Sequence, residues 1–190
     1  MNIFKYIIVI ILIFIVLLLF RYKTTKSEDI EYEDLINLSK DDIIKYFDKK
    51  ANKKLPRFPR EYPEIPKDKG EYSSIGERYC LEFMNHLFPG HKFTKVRPEW
   101  LKNPKTGKNL ELDGYNEELK LAIEYNGMQH YIWPNNFHKT YEQFLEQQER
   151  DKIKEKLCKL NNVHLIIIPY TVELKNIPIK IYHSLINIDL

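Results

Sequence analysis

The chain has 190 residues and a mass of 23.0 kDa, room for one ordinary domain and an appendage but not for two full domains. At 43% hydrophobic, 30% charged and 13% aromatic, it cannot be a mostly disordered chain, which would bury too little apolar surface to offset its ordering entropy. A net charge of +3 gives no bulk electrostatic argument for a nucleic-acid partner, six glycines argue against a glycine-rich phosphate-binding or repeat architecture, and Cys80 and Cys158 are too few for a disulfide framework or a cysteine zinc site.

Residues 1–22 stand apart as an N-terminal membrane anchor. Residues 7–20 are apolar without a break, and residues 6–20 are the stretch expected to lie in the membrane. A cleaved signal peptide is the rival reading, but Arg21-Tyr22-Lys23 follows the run where small residues would be needed; a buried core helix is the third. Arg21, Lys23 and Lys26 outnumber Lys5 and the amino terminus, which favours a single-pass protein with its C-terminal domain in the cytosol. Residues 23–69 read as a charged, proline-rich linker with a short helix. An acidic cluster opens it, Ser39 is placed to cap a helix, and prolines at 56, 59, 63 and 66 favour extended chain. It is expected to act as a tether, or as a basic arm touching phosphates or anionic lipid.

Residues 70–190 read as one compact α/β domain. Ser73-Ser74 can cap a helix that runs to Leu87, where Pro89-Gly90 stops it. Strands are expected at residues 91–96, 109–113 and 118–125, the last two joined by a turn over Gly114-Tyr115-Asn116-Glu117. Residues 141–160 form a long polar helix, residues 163–168 a strand buried on both faces, and residues 179–187 a closing helix. The order is α-β-β-β-α-β with that helix added.

The chemistry gathers on the hairpin. Alternation puts Leu110 and Leu112 on one face and Glu111 and Asp113 on the other. On the next strand Leu119, Leu121, Ile123 and Tyr125 share a face, opposite Lys120, Ala122, Glu124 and Asn126. With the apolar faces together, Asp113 and Glu124 emerge on one side, and Gly127-Met128-Gln129-His130 follows directly. Two carboxylates are hard ligands suited to Mg²⁺ or Mn²⁺, which lowers the pKa of a bound water and stabilises developing phosphate charge. A neutral histidine nearby can accept the water's proton.

Asp113, ten residues, and then Glu124-Tyr125-Asn126 resembles the core of the PD-(D/E)XK, or restriction-endonuclease-like, nuclease superfamily. Residues 122–131 resemble more particularly the branch related to very-short-patch-repair endonucleases. Glu77 matches an acid often carried on the opening helix, and Gln148-x-x-Asp151-x-x-Lys154 resembles the polar helix motif. The resemblance covers roughly residues 73–170. It implies a restriction-endonuclease-like core, with Asp113 and Glu124 as metal ligands and His130 as general base. It further implies that Gln129 and Asn126 orient water or phosphate, that Glu77 positions a water or second ion, and that Lys152 or Lys154 reaches the phosphate. Leu112 replaces the superfamily's proline, and Asn126 stands where its motif lysine falls.

The expected function is a metal-dependent DNA endonuclease tethered to a membrane. A catalytically inactive, nucleic-acid-binding form of the same fold is the first alternative, favoured by Asn126. A structural membrane protein with a protein-binding cytosolic domain is the second. Residues 71–190 carry sixteen basic and sixteen acidic side chains, so DNA contact would fall to local clusters: Lys92, Lys95, Arg97, Lys102, Lys105 and Lys108 before the hairpin, and residues 150–159 on the long helix.

Overall fold

The computed structural model describes residues 30–51, 54–67 and 74–188. The apolar run at residues 6–20 lies outside them; among the described residues no helix is long and apolar enough to cross a membrane. The chain divides into two units, Met1–Asn37 and Leu38–Leu190. The described part of the first contains a single helical turn, α1 (Tyr32–Leu35), followed by Asn37, whose Nδ2 donates to the Glu33 carbonyl at 2.7 Å.

The second unit opens with α2 (Lys40–Lys50). Ser39 caps it as expected, its Oγ accepting from the Asp42 amide at 3.2 Å, with acids in the first turn and lysines in the last. The proline-rich segment that follows does not stand off as a tether. Phe58 is buried between Phe47 of α2 and Tyr182, with ring centroids 4.8 and 5.1 Å away, and the Tyr182 hydroxyl donates to the Pro56 carbonyl at 2.6 Å. Its prolines keep the chain extended, and its aromatics dock it.

Helix α3 (Ile75–Leu87) is capped by Ser74 Oγ, which accepts from the Glu77 amide at 3.1 Å. It buries Tyr79, Cys80, Phe83, Met84 and Leu87 along one stripe. A four-stranded sheet follows in the order β1 (Thr94–Val96), β2 (Leu112–Asn116), β3 (Leu121–Asn126), β4 (His164–Pro169). β1–β2 and β2–β3 are antiparallel; β3–β4 is parallel, and the long helix α4 (Tyr141–Leu160) makes the crossover that parallel neighbours require. Helix α5 (Ile177–Ile186) closes the unit and is apolar around most of its surface.

Helices cover both faces of the sheet. Leu81 of α3 lies over Gly114 and Ile123, whereas Cys158 of α4 joins the cluster of Leu112, Tyr115 and Ala122 on the other face. The protein is therefore mixed α/β with a four-stranded mixed sheet, in the expected order. Both cysteines are buried free thiols; burial holds the Cys80 thiol well up and pushes Cys158 up to about 12, so neither supplies a thiolate near neutral pH.

The hairpin departs from the sequence expectation by three residues. Gly114, Tyr115 and Asn116 belong to β2, and the turn covers residues 117–120. Asn116 builds that turn: its Oδ1 accepts from the Leu119 amide at 2.9 Å, and Lys120 takes a positive φ of 50°. Gly114 serves close packing instead. A Cβ there would come within 2.8 Å of Ile123 and 2.9 Å of Leu81. The shift continues the register Gly114↔Ile123 so that Asp113 falls across from Glu124.

Candidate active site

The two carboxylates sit where the β2–β3 ladder ends. Beyond the Gly114↔Ile123 pair, side chains replace backbone carbonyls as acceptors. The Asp113 amide donates to Glu124 Oε1 and the Tyr125 amide donates to Asp113 Oδ2, each at 3.0 Å. This reciprocal pairing locks both carboxyl groups and commits one oxygen of each. Asp113 Oδ1 and Glu124 Oε2 are the remaining pair. Lys154 of α4 donates to Glu124 Oε2 at 2.5 Å, and Lys95 of β1 lies 4.0 Å from Asp113 Oδ1.

Glu124 is 5% exposed in the middle of β3. Burial pushes its carboxyl up to about 7, against the pull of Lys154 and with the help of Asp113. Glu77, one turn into α3, is likewise raised by burial, partly opposed by its ion pair with Lys95. Burial works against the charge of Lys95, but Glu77, Asp113 and Glu111 outweigh it and hold its pKa up. Two lysines thus neutralise a cluster of buried and half-buried acids.

The donor set fits a hard divalent cation. Asp113 Oδ1 and Glu124 Oε2 are hard oxygen donors of the kind Mg²⁺ prefers, and in this structure the ammonium groups of Lys95 and Lys154 face them. Among the described residues no group of three or more His, Cys, Asp or Glu side chains is placed to hold a metal ion.

A second polar group lies one turn away on α4. The short 3₁₀ turn Met128–His130 follows β3 and faces that helix. His130 Nδ1 lies 2.8 Å from Asp151 Oδ2, and Gln147 Nε2 donates to Asp151 Oδ1 at 2.8 Å. Arg150 Nη2 donates to Gln147 Oε1 at 2.6 Å, fixing which way the amide points. Asp151 and Lys154 are i and i+3 on one helical face, which makes the His130 and Glu124 groups neighbours.

Comparison with known proteins gives relatives. Over 135 residues the chain is 44% identical to uncharacterized protein 307L of Invertebrate iridescent virus 6, covering 64% of this chain and 68% of that one. The chain belongs to the 307L family. Uncharacterized protein 094L of Frog virus 3 is 38% identical over 133 residues, 69% of this chain and 81% of the relative. Uncharacterized protein 033L of Invertebrate iridescent virus 3 is 43% identical over 115 residues, with 60% of this chain and 59% of the relative covered. No family model and no solved structure matches the chain.

In this 307L-family chain, then, the site rests on its own geometry. Asp113, Glu124 and Lys154 come together directly, Glu77 joins through Lys95, and His130 joins through α4. Asn126 is buried at the end of β3. Gln129 folds back over Gly127, so that a Cβ at that glycine would meet Gln129 Oε1 at 2.4 Å. Lys152 is exposed on α4, away from the half-buried Lys154. Sequence reasoning missed Lys95 and Gln147 as members of the site. Gln147, Asp151 and Lys154 follow i, i+4, i+7, a one-face spacing legible in the sequence, whereas Gln148, chosen for its motif match, takes no part in the Asp151 pairing. Lys95 had no such signal, because an irregularity between Thr94 and Val96 sets which way it projects.

Proposed function

We propose that the chain is a metal-dependent phosphodiester hydrolase acting on DNA, with a restriction-endonuclease-like core. The observation that carries this reading is the reciprocal Asp113–Glu124 pairing at a broken strand ladder, with Lys154 on its outer oxygen. A buried acid in the middle of a core strand is costly for folding unless it is used or paired, and here one oxygen of each carboxylate stays free of the reciprocal pairing and faces a lysine. The apolar residues 6–20 would hold this activity at a membrane.

Asp113 Oδ1 and Glu124 Oε2 would hold Mg²⁺ or Mn²⁺, which when bound supplies an acidified water and counter-charge for the phosphate. His130 stands as general base. Asp151 holds the ring by Nδ1, an orientation in which Nε2 would take a proton from the attacking water as the new P–O bond forms. The P–O bond to the leaving oxygen breaks, and that oxygen is protonated from solvent. Lys154 places an ammonium beside Glu124, in the role left empty by Asn126, and Lys95 holds Glu77 and Asp113 in place.

End-labelled duplex and single-stranded oligonucleotides, incubated with the full chain in Mg²⁺, Mn²⁺ or EDTA, test the reading. Cleavage in either metal that disappears in EDTA and in Glu124→Gln supports it. Equal products from wild type and Glu124→Gln contradict it. Binding without any turnover assigns the inactive alternative.

A further inference from the structure

The structure brings together two basic clusters that lie about forty residues apart in sequence. The segment between β1 and β2 and the N-terminal half of α4 enclose an open groove of about 540 Å³. Arg97, Lys105 and Lys108 line one wall; Arg150, with Glu146 and Glu149, lines the other. Each wall is linked to the candidate active site by a chain of side-chain contacts. Arg97 Nη2 pairs with Glu111 Oε2 at 3.1 Å, and Glu111 with Lys95, which neighbours Asp113. On the other wall Arg150 holds Gln147, which holds Asp151 beside His130.

We propose that this groove is the track for the phosphodiester strand that enters the active site. The inference rests on the hydrolase reading and names the path of its substrate. Four cations against two acids give the groove an excess of positive charge on a domain that is otherwise balanced. Its ion pairs are easily exchanged. Lys105 and Glu149 meet at 2.6 Å with side chains 65% and 45% exposed, and exposed pairs of this kind contribute little. A phosphate oxygen can therefore take the Lys105 ammonium from Glu149. Asn103, Thr106 and Asn109 also line it and add uncharged polar groups, of the kind that contact a nucleic-acid backbone without regard to sequence.

The test separates this path from the chemistry. Binding of the full chain to a fluorescein-labelled 25-base-pair duplex is followed by anisotropy in EDTA, across a potassium chloride series. Lys105→Ala/Lys108→Ala, two exposed positions outside the site, should flatten the slope of log affinity against log salt by about 2, since each lost phosphate contact removes about 0.9. Affinity at the lowest salt should fall at least about tenfold. The control Lys175→Ala, whose lysine pairs with Glu173 beside α5, should change neither. An unchanged slope in the double variant places the strand elsewhere and overturns the proposal. Equal competition by polyglutamate and by DNA at matched charge also overturns it, by making the groove a general polyanion surface. No DNA binding by wild type at any salt would instead remove the hydrolase reading on which the inference stands.

Discussion

The two faces of β3 are built for different ends. Leu121, Ile123 and Tyr125 turn to α3 and are filled by packing so close that glycine is needed opposite them: a Cβ on Gly76 would lie 2.3–2.6 Å from the Tyr125 ring. Ala122, Glu124 and Asn126 turn to α4. That face begins apolar, with Ala122 against Cys158, and ends polar, with Glu124 on Lys154. One face gains stability from apolar burial alone. The other buries a carboxylate and an ammonium, an arrangement whose desolvation cost its own attraction only partly offsets. The difference teaches where to look for chemistry: at the burial that packing does not explain.

If the α4 face is functional, its loss should be large in activity and small in stability. Asp113→Ala should lower metal-dependent cleavage about 10²–10³-fold, the range for removing one strong electrostatic contact in an active site. Plasmid nicking measures that, and a denaturant midpoint near wild type would show that the fold survives. Asp151→Asn acts one step removed, through the orientation and tautomer of His130. It should cost about 10–100-fold, less than the roughly 10²–10⁴-fold that general acid–base catalysis contributes, and should change the pH profile as well as the rate. A unit-slope fall in rate with an unchanged profile would make Asp151 merely structural.

On the α3 face the signs reverse. Gly76→Ala should destabilise the protein by about 1–3 kcal/mol through overpacking, despite alanine's better helix propensity. Tyr125→Leu should relieve the clash in the double variant, which urea unfolding of the full chain would show as non-additivity. In the buried aromatic cluster of Phe47, Phe58 and Tyr182, Tyr182→Phe loses only the hydrogen bond to the Pro56 carbonyl and should cost about 1 kcal/mol.

The pH dependence joins both faces of the comparison. Glu124's carboxyl is raised to about 7, so the ionised form that can hold a cation disappears as pH falls through that value. At sub-saturating Mg²⁺, cleavage should fall below about pH 7, and added metal should move the fall to lower pH because it competes with the proton. Stability moves oppositely. A carboxyl raised on folding favours the native state below its unfolded value of 4.5, and that contribution is lost as pH rises through about 7.

Much of this was legible in the sequence. Apolar patterning placed α3, α4 and β4 closely, but β4, expected to be buried on both faces from its continuous apolar run, is an edge strand that fully buries only Ile166 and Ile168. The hairpin turn was misplaced because Asp113-Gly114 is a strong turn signal, and only the approach of Leu81 and Ile123 shows that Gly114 is wanted for space. The proline-rich segment read as a linker because composition does not reveal that Phe58 and Tyr182 meet across 124 residues of chain. Spacing and residue type singled out Asp113, Glu124 and His130, and the structure places Asp113 and Glu124 in reciprocal contact and His130 against α4. Lys95 was not, since a strand irregularity sets its direction, and neither was the meeting of two distant basic clusters in one groove.

The central claim is that Asp113 and Glu124 form a cation-dependent site for phosphodiester hydrolysis. The most direct measurement is nicking of supercoiled plasmid by the full chain in Mg²⁺, Mn²⁺ or EDTA, with Asp113→Ala in parallel. The account predicts nicking by wild type in metal, none in EDTA and almost none by the variant. Nicking that persists undiminished in folded Asp113→Ala, or no nicking by wild type in either metal, would contradict it.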